Sequence, residues 1–266
     1  MSREYFRDKR IWITGASSGI GKEIVLQLAE PAKQIIISGR NTDSLNAVKI
    51  QSGFPEKIVV VTMDQSSADS VQQACNVVLS DSHSIDIVFC NGGVSQRALA
   101  LDTPEEVERY IFETNYFSQI RIAQKATQSM NTSRGLHLVV TSSLLSKWGF
   151  PLRSSYAATK HALHGYFDSL RMETQQTGLK ITLVLPGFIQ TPISKNAMDA
   201  DGKLSGSMDA NQAGGISAHE CARRILAGVA ANKNEFSVGG KETIGLLLRR
   251  FLPRIFDAIL RKKNPR

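Results

Sequence analysis

Short runs of β-branched and aliphatic residues alternate with longer amphipathic stretches along most of the chain. Each run is apolar at successive positions, which is typical of parallel strands that are buried on both faces. The stretches between them carry apolar residues three or four positions apart, the spacing of an amphipathic helix. Strands are predicted over residues 11–14, 34–38, 58–62, 85–90, 136–141 and 181–185.

This alternation predicts an α/β fold, a doubly wound parallel sheet of the Rossmann type with about seven strands. No repeat or low-complexity linker divides the chain, so we expect a single catalytic domain over 1–240 and a helical extension over 241–266. The polar segment at about 192–215 is predicted to be a lid rather than a disordered stretch. Thr103 and Ser217 are predicted to cap the helices that follow them.

The extension is basic and amphipathic, and Pro253 interrupts its helical pattern. Residues 241–266 include eight basic and two acidic side chains, which together carry +6 of the net charge of +8. The segment 243–263 could therefore touch an anionic membrane surface, cover a substrate pocket or pack on a second subunit. The rest of the chain is nearly neutral, so we expect no nucleic-acid partner.

Three scattered cysteines without a CxxC motif predict small buried residues in a reducing compartment. His161 and His164 have no second cluster of ligand-type residues beside them, so no metal site is expected. The charged start does not resemble a secretory signal, and no apolar run reaches the ~18 residues of a membrane span. We expect a cytoplasmic protein that reaches a membrane, if at all, through its basic extension.

A glycine-rich turn, TGASSGIG at positions 14–21, follows the first predicted strand and opens the first helix. Gly15 permits the sharp turn, Gly19 allows a pyrophosphate to approach the backbone, and Gly21 allows close packing of helix on sheet. The helix N-terminus offers N–H groups and a positive dipole to phosphates. The position of the turn predicts a dinucleotide site.

The second strand ends in Gly39 and Arg40. Sites that prefer NAD usually place a carboxylate here, whereas a guanidinium can pair with the 2′-phosphate of NADP. We therefore expect NADP(H) as the cofactor.

Tyr156 and Lys160 lie four positions apart on a predicted helix and so share one face. An ammonium one turn away favours the tyrosinate, which predicts a lowered pKa for the phenol and a role in acid–base catalysis. Ser142 and Ser143 follow the fifth strand, and we favour Ser143 because neighbours on a strand point to opposite faces.

In order and spacing, these motifs resemble the classical short-chain dehydrogenases/reductases over about residues 10–238. The resemblance lies nearest to reductases related to hydroxysteroid dehydrogenases. It adds Asn115 as the catalytic-helix asparagine and Asp64 as the residue beside the adenine ring. Two departures stand at the NNAG motif, where this chain has Cys90 and Gly92.

The resemblance implies that Tyr156 donates the proton, Lys160 binds the nicotinamide ribose and Ser143 hydrogen-bonds the substrate oxygen. It implies that Asn115 holds a water that links Lys160 to solvent. The residues expected to contact the cofactor are Gly15, Ser17, Ser18, Gly19, Ile20, Gly21, Arg40, Asp64, Asn91, Gly92, Tyr156, Lys160, Pro186, Gly187, Ile189 and Thr191.

The apolar loop over 144–152 favours a hydrophobic carbonyl or secondary alcohol as the substrate of this NADP-dependent oxidoreductase. Reduction of a 3-oxoacyl thioester and oxidation of a hydroxysteroid use the same residues and stay open. A non-catalytic regulator that binds NADP is a further alternative, which the four catalytic side chains disfavour. The resemblance implies a homodimer or homotetramer formed through the helices that carry Asn115 and Tyr156.

Overall fold

The computed structural model describes residues 2–80 and 84–262. Its strands are β1 (Arg10–Thr14), β2 (Gln34–Gly39), β3 (Ile58–Thr62), β4 (Ile87–Cys90), β5 (Leu136–Thr141), β6 (Leu179–Pro186), β7 (Ile189–Gln190), β8 (Ile216–Ser217) and β9 (Glu235–Val238). The predicted run 85–90 is longer than β4 because Ile85 is buried in the core although it precedes the strand.

Seven of these strands form one parallel sheet in the order β3-β2-β1-β4-β5-β6-β9. The order reverses between β1 and β4, whose pairing aligns Ile13 with Phe89. This reversal leaves a crevice at the carboxyl ends of the two strands, where doubly wound folds bind ligands. The predicted fold class is therefore confirmed. The short strands β7 and β8 pair with each other beside the sheet.

Helices cover both faces of the sheet. They are α1 (Ser2–Tyr5), α2 (Gly19–Leu28), α3 (Thr42–Gln51), α4 (Ala68–Leu79), α5 (Glu105–Phe112), α6 (Ser118–Gln128), α7 (Ser154–Glu173), α8 (Ala210–Ala213), α9 (Ala218–Ala230), α10 (Gly245–Phe251) and α11 (Pro253–Arg261). A π-helical turn over Glu113–Phe117 joins α5 to α6.

The side chains of β1 show how the two layers divide. Ile11 and Ile13 point into a core formed with α2, α3 and α9, whereas Trp12 points into a second core formed with α4, α6 and α7. All three side chains are fully buried. A strand that is apolar on both faces is thus explained by helices on both sides.

The two predicted helix caps have different outcomes. Ser217 accepts a hydrogen bond from the Glu220 amide at 3.1 Å, so this cap is confirmed. Thr103 is not a cap, because α5 begins only at Glu105 and the Thr103 hydroxyl donates to the Leu99 carbonyl at 2.7 Å.

Candidate active site

A cavity of about 630 Å³ lies at the carboxyl end of the sheet. Its floor is the crevice between β1 and β4, and its walls come from the loops after β2, β5 and β6. Nearly all predicted cofactor residues line it, namely Gly15, Ser17, Ser18, Gly19, Ile20, Arg40, Asp64, Asn91, Gly92, Tyr156, Lys160, Pro186, Gly187, Ile189 and Thr191. Gly21 lies beneath this wall, where it is buried.

The glycines of the turn after β1 are required by its geometry. Gly15 has φ of +61°, and a Cβ atom there would lie 2.5 Å from the Cα of Gly92. A Cβ atom on Gly21 would lie 2.3 Å from the Gly15 carbonyl oxygen. The turn can therefore be this tight only with glycine at both positions.

The N-terminus of α2 opens into the cavity. The Ser18 side chain makes no capping hydrogen bond within the described part of the chain, although Ser18 precedes the first residue of the helix. The first amides of a helix have no partner inside it. Uncapped amides beside Ser17 and Ile20 thus suit an anionic group such as a phosphate.

Arg40 and Asp64 stand on the far side of the glycine turn. The Arg40 guanidinium donates to the Tyr110 hydroxyl at 3.0 Å, which holds it at the cavity rim. One Asp64 carboxylate oxygen accepts from both the amide and the hydroxyl of Ser66 at 2.9 and 2.8 Å. Both side chains are held in place where the second strand and third strand end.

The side chain of Gln65 explains why position 92 is a glycine. A Cβ atom at Gly92 would lie 1.6 Å from Oε1 of Gln65, whose amide nitrogen donates to the Ser118 hydroxyl. This chain therefore pairs a glycine with Gln65 where the resembled family has alanine. The adjacent Asn91 amide donates to the carbonyls of Thr14 and Gly15 at 3.3 Å, which ties β4 to the glycine turn.

Tyr156 and Lys160 face the cavity from the first turns of α7. The Lys160 ammonium lies 5.7 Å from the centre of the Tyr156 ring and donates to the Thr141 carbonyl at 2.9 Å. Lys160 is buried, and burial lowers its pKa to about 8. The side chain is therefore only partly charged at slightly alkaline pH.

The prediction of a lowered pKa for Tyr156 is wrong for this structure. Burial raises the pKa of the phenol, and the hydrogen bond with Ser143 and the charge of Arg153 only partly oppose this. The ammonium of Lys160 does not compensate, because it points to the Thr141 carbonyl. The phenol is accordingly protonated at neutral pH.

The structure distinguishes the two serines after β5. The Ser143 hydroxyl lies close enough to the Tyr156 phenol to lower its pKa, and it accepts from the Leu145 amide at 3.1 Å. The Ser142 hydroxyl instead points to the Lys160 carbonyl at 3.4 Å. Ser143 is therefore the serine that stands beside the phenol.

Asn115 is close to the site but does not line the cavity. Its side-chain oxygen accepts from the Val94 amide at 2.8 Å, and its nitrogen donates to the Val94 carbonyl at 2.9 Å. It sits in the π-helical turn, a geometry that recurs at functional sites. The neighbouring Thr114 hydroxyl is buried without a partner among the described residues and lines the cavity.

The loop after β6 closes the cavity from above. Pro186, Gly187, Ile189 and Thr191 all contribute to it. Glu242 of the extension occupies the space that a side chain at position 187 would need, because a Cβ atom on Gly187 would lie 2.2 Å from it. The same carboxylate accepts from the Phe188 amide at 2.8 Å, so the extension holds this loop in place.

The predicted lid lies over the substrate side of the cavity. Met198 bonds to the backbone of Ser95 and of Arg97, at 2.9 and 2.7 Å. Asp209 is half-buried, caps α8 and forms ion pairs with both Arg97 and Arg153. The lid is therefore fastened to the pocket by charge as well as by backbone hydrogen bonds.

Sequence reasoning missed Gln96 and Arg153. The Gln96 side chain accepts from the amides of Ser155 at 2.8 Å and Tyr156 at 3.3 Å, and so caps the catalytic helix from a distant loop. Arg153 is buried, donates to the Gln96 carbonyl and has a pKa lowered by burial to about 10. The contacts of Gln96 with Arg153 and with Ser155 join residues 57 and 59 positions apart, and no local pattern marks them.

The extension folds against the pocket as two helices that break at Pro253, as predicted. Phe256 is buried and packs edge-on against Trp148, with ring centres 5.0 Å apart. Leu248 and Leu260 also line the cavity. Of the three predicted locations, the pocket mouth is the one that this structure shows. Lys263 and the residues after it lie outside the described residues.

Other expectations concern metals, cysteines and membrane spans. All three cysteines are free and buried, as expected. Over residues 2–80 and 84–262, no cluster of His, Cys, Asp and Glu could hold a metal ion. His164 instead lies 3.3 Å from the Glu235 carboxylate. None of the helices in these two ranges is long and apolar enough to cross a bilayer.

Fold and site together define an α/β protein with a tyrosine–lysine–serine group beside a Rossmann-type crevice. The sequence model of the short chain dehydrogenases matches residues 9–202. Dehydrogenase/reductase SDR family member 7B of Xenopus tropicalis is 35% identical over 267 residues, which cover 97% of this chain and 86% of that protein. The chain belongs to the short-chain dehydrogenase/reductase family of oxidoreductases.

Two solved structures share the fold. A short chain dehydrogenase from Burkholderia cenocepacia in complex with NADP has a TM-score of 0.79 at 21% identity, with 96% of this chain and 98% of that chain covered. A family member from Burkholderia phymatum in complex with NAD has a TM-score of 0.78 at 17% identity, with 94% and 96% covered.

Proposed function

We propose that the protein transfers a hydride between NADP(H) and a hydrophobic carbonyl or secondary alcohol. The observation that carries this proposal is the convergence of Tyr156, Lys160 and Ser143 on one wall of the cavity. The other walls are the glycine turn on one side and an apolar pocket on the other.

The residues present fit a nicotinamide dinucleotide. The turn at Gly15 and the uncapped start of α2 suit the pyrophosphate. The unpartnered Thr114 hydroxyl marks a place where a ligand or water completes the hydrogen bonding. Arg40 at the rim, with no carboxylate at Gly39, favours the 2′-phosphate of NADP. When bound, the cofactor supplies or accepts the hydride.

Tyr156 acts as the general acid in the reductive direction. Its phenol gives a proton to the substrate oxygen as the carbonyl carbon receives the hydride, and the product is an alcohol. The raised pKa keeps the phenol in the acid form at neutral pH, which favours reduction. Ser143 donates a hydrogen bond to the same oxygen, where negative charge develops in the transition state.

Lys160 acts next to the phenol. Its ammonium, 5.7 Å from the centre of the Tyr156 ring, is placed to bind the nicotinamide ribose, while the phenolate left after proton transfer is stabilised by the Ser143 hydroxyl and the charge of Arg153. The bond of Lys160 to the Thr141 carbonyl fixes its position on the wall. With a pKa of about 8, it can also pass a proton onward within the ordinary pH range.

The substrate side is apolar. Leu145, Trp148 and Phe150 line the cavity after β5, and Leu248 and Phe256 line it from the extension. Such walls recognise a hydrophobic substrate by area rather than by hydrogen bonds. This supports a hydrophobic carbonyl or alcohol.

A cofactor-oxidation screen tests the proposal. The purified protein is given NADPH or NADH with aliphatic aldehydes, ketones, 3-oxoacyl thioesters and steroids, and loss of the reduced cofactor is followed by absorbance. We expect turnover with NADPH on at least one hydrophobic class. No turnover with any class in either direction would refute the proposal.

Arg40→Asp tests the cofactor preference in the same assay. We expect the ratio of kcat/KM for NADPH over NADH to fall by about tenfold or more, because a carboxylate repels the 2′-phosphate. The matched control is Lys33→Asp, an exposed site just before the other end of β2, which should leave the ratio unchanged. Equal ratios in both variants would mean that Arg40 does not select NADP.

A further inference from the structure

The two C-terminal helices expose an apolar surface on the side that faces away from the cavity. We call this surface the tail face. Its apolar members are between 49% and 67% exposed. The tail face consists of Leu247, Phe251, Leu252 and Ile255, flanked by Arg250 and Arg254.

The opposite side of the same helices is already occupied. Phe256 packs on Trp148, and a Cβ atom on Gly245 would lie 3.2 Å from the Trp148 ring. The helices therefore cannot rotate the tail face inwards without losing this contact. An apolar face that stays exposed on a fixed element points to a partner.

Positive charge surrounds the tail face. Arg249 is neutralised by Asp257 at 3.0 Å, and Arg250 lies 5.6 Å from the Phe251 ring centre. Arg254 and Arg261 have no acidic partner among residues 2–80 and 84–262. The surface thus combines exposed aromatic and aliphatic side chains with unneutralised guanidinium groups.

We propose that the tail face lies on the surface of an anionic lipid bilayer. Apolar side chains of an amphipathic helix enter the boundary between headgroups and acyl chains, and arginines at their edge pair with lipid phosphates. A second copy of this chain fits the surface less well. In a two-fold contact each patch meets itself, which would bring the same arginines together.

The location of the tail face has a consequence for substrate access. Leu248, Ile259 and Leu260 line the cavity from the same two helices. The membrane contact and the pocket wall are therefore opposite sides of one element, and an apolar substrate in the bilayer has a short path to the site. This consequence rests on the proposed function, whereas the membrane contact does not.

Vesicle sedimentation tests the contact on the full chain. Phosphatidylcholine vesicles with and without phosphatidylglycerol are used at low and high salt. We expect sedimentation with the anionic vesicles, weakened by salt because surface charges are screened. The double variant Phe251→Glu/Ile255→Glu should bind at least tenfold more weakly.

A matched control replaces exposed apolar residues elsewhere. Ile50 and Leu101 are 74% and 99% exposed, and Ile50→Glu/Leu101→Glu adds the same charge away from the extension. This variant should sediment like the wild type if the tail face is the binding surface. Equal losses in both double variants would overturn the proposal.

Charge at the tail face is tested separately. Arg250→Gln and Arg254→Gln should each weaken binding about fivefold, as expected for one basic residue near an anionic surface. The exposed residues Lys33 and Lys180 serve as controls for the same substitution. Equal effects at all four positions would show that net charge alone drives binding and would overturn the assigned surface.

Two further readouts separate the outcomes. Reductase activity on a water-soluble carbonyl should survive the tail-face substitutions, which shows that the variants are folded independently of lipid binding. Size-exclusion chromatography follows the oligomer. The contrary outcome is a wild type that fails to sediment with anionic vesicles and a tail-face variant that elutes as a smaller oligomer. This result would identify the tail face as an interface between copies and overturn the proposal.

Discussion

Both ends of strand β5 carry polar residues, but these residues differ in whether the fold itself completes their hydrogen bonding. At the amino end, His137 is buried with both ring nitrogens hydrogen-bonded. Just beyond the carboxyl end, Ser143 stands in the cavity beside the half-buried phenol of Tyr156 and the buried amine of Lys160. The two polar side chains belong to the same stretch of chain, but the groups that surround them differ.

The network at the amino end is complete. The Thr182 hydroxyl gives its proton to the Lys233 carbonyl at 2.7 Å, so the His137 Nε2–H must be the donor in the 2.8 Å contact with Thr182. The other ring nitrogen then accepts from the Tyr5 hydroxyl at 2.7 Å. The neutral imidazole thus fits its surroundings, and this arrangement contributes to stability.

The carboxyl end is incomplete by comparison. The Thr114 hydroxyl has no partner within the described ranges, and Lys160 is buried without a carboxylate beside it. Burial shifts the pKa of Lys160 down and that of Tyr156 up, and such opposed shifts are frequent at reactive sites. Polar groups that are completed inside the fold stabilise it, whereas those left open are available to a ligand.

The largest expected effect that separates the two ends is that of Tyr156→Phe. The ring and its packing remain while the proton donor is lost, so kcat should fall about a thousandfold, or ~4 kcal/mol in the barrier. The free energy of unfolding should change by less than ~1 kcal/mol. Steady-state rates and urea unfolding of the same preparation measure both. Near-normal turnover would exclude Tyr156 as the acid.

Ser143→Ala gives a smaller effect with a control next to it. Loss of the donor to the substrate oxygen should lower kcat about a hundredfold, ~2.7 kcal/mol. Ser142→Ala removes only a long contact to the Lys160 carbonyl and should stay within about threefold of the wild type. A larger loss of kcat in Ser142→Ala than in Ser143→Ala would show that Ser142 donates the hydrogen bond to the substrate oxygen. That result would contradict the choice of Ser143 from the geometry.

Much of the fold could be predicted from local patterns. The apolar runs locate the strands because parallel strands with helices on both faces have no polar side, as Ile11, Trp12 and Ile13 illustrate. The glycine turn and the pair Tyr156 and Lys160 are also local, since they depend on adjacent turns of chain. The fold class follows from these signals.

Long-range partners could not be predicted in this way. The cap of the catalytic helix comes from Gln96, and the lid is tied by Asp209 to Arg97 and Arg153. The wrong pKa direction for Tyr156 has the same origin, because spacing shows the neighbouring amine but not how far the fold removes the phenol from water. Burial and contacts across the chain depend on the tertiary fold.

The smallest expected effect is a loss of stability in acid that is caused by His137, at the amino end of β5. Burial lowers the pKa of His137 to about 4 from its ordinary 6.5, aided by the charges of Lys180 and Lys9. The unfolded chain therefore takes up a proton below pH 6.5 that the folded protein refuses. The stability that neutral His137 contributes is fully present above pH 6.5 and is lost as the pH falls toward 4. Between pH 7 and pH 5 the free energy of unfolding should drop by about 2 kcal/mol.

This pH window separates His137 from the acidic groups that also stabilise the fold. Glu235 has its pKa lowered to about 2 by His164 and Lys147, so its contribution is lost only as the pH falls from about 4.5 toward 2. Urea unfolding at pH 7 and 5 should show the drop in the wild type and in the surface control His161→Gln. In His137→Gln the drop should largely disappear, since glutamine does not titrate. An equal drop in all three proteins would place the acid sensitivity elsewhere and remove the proposed contrast between the two ends of β5.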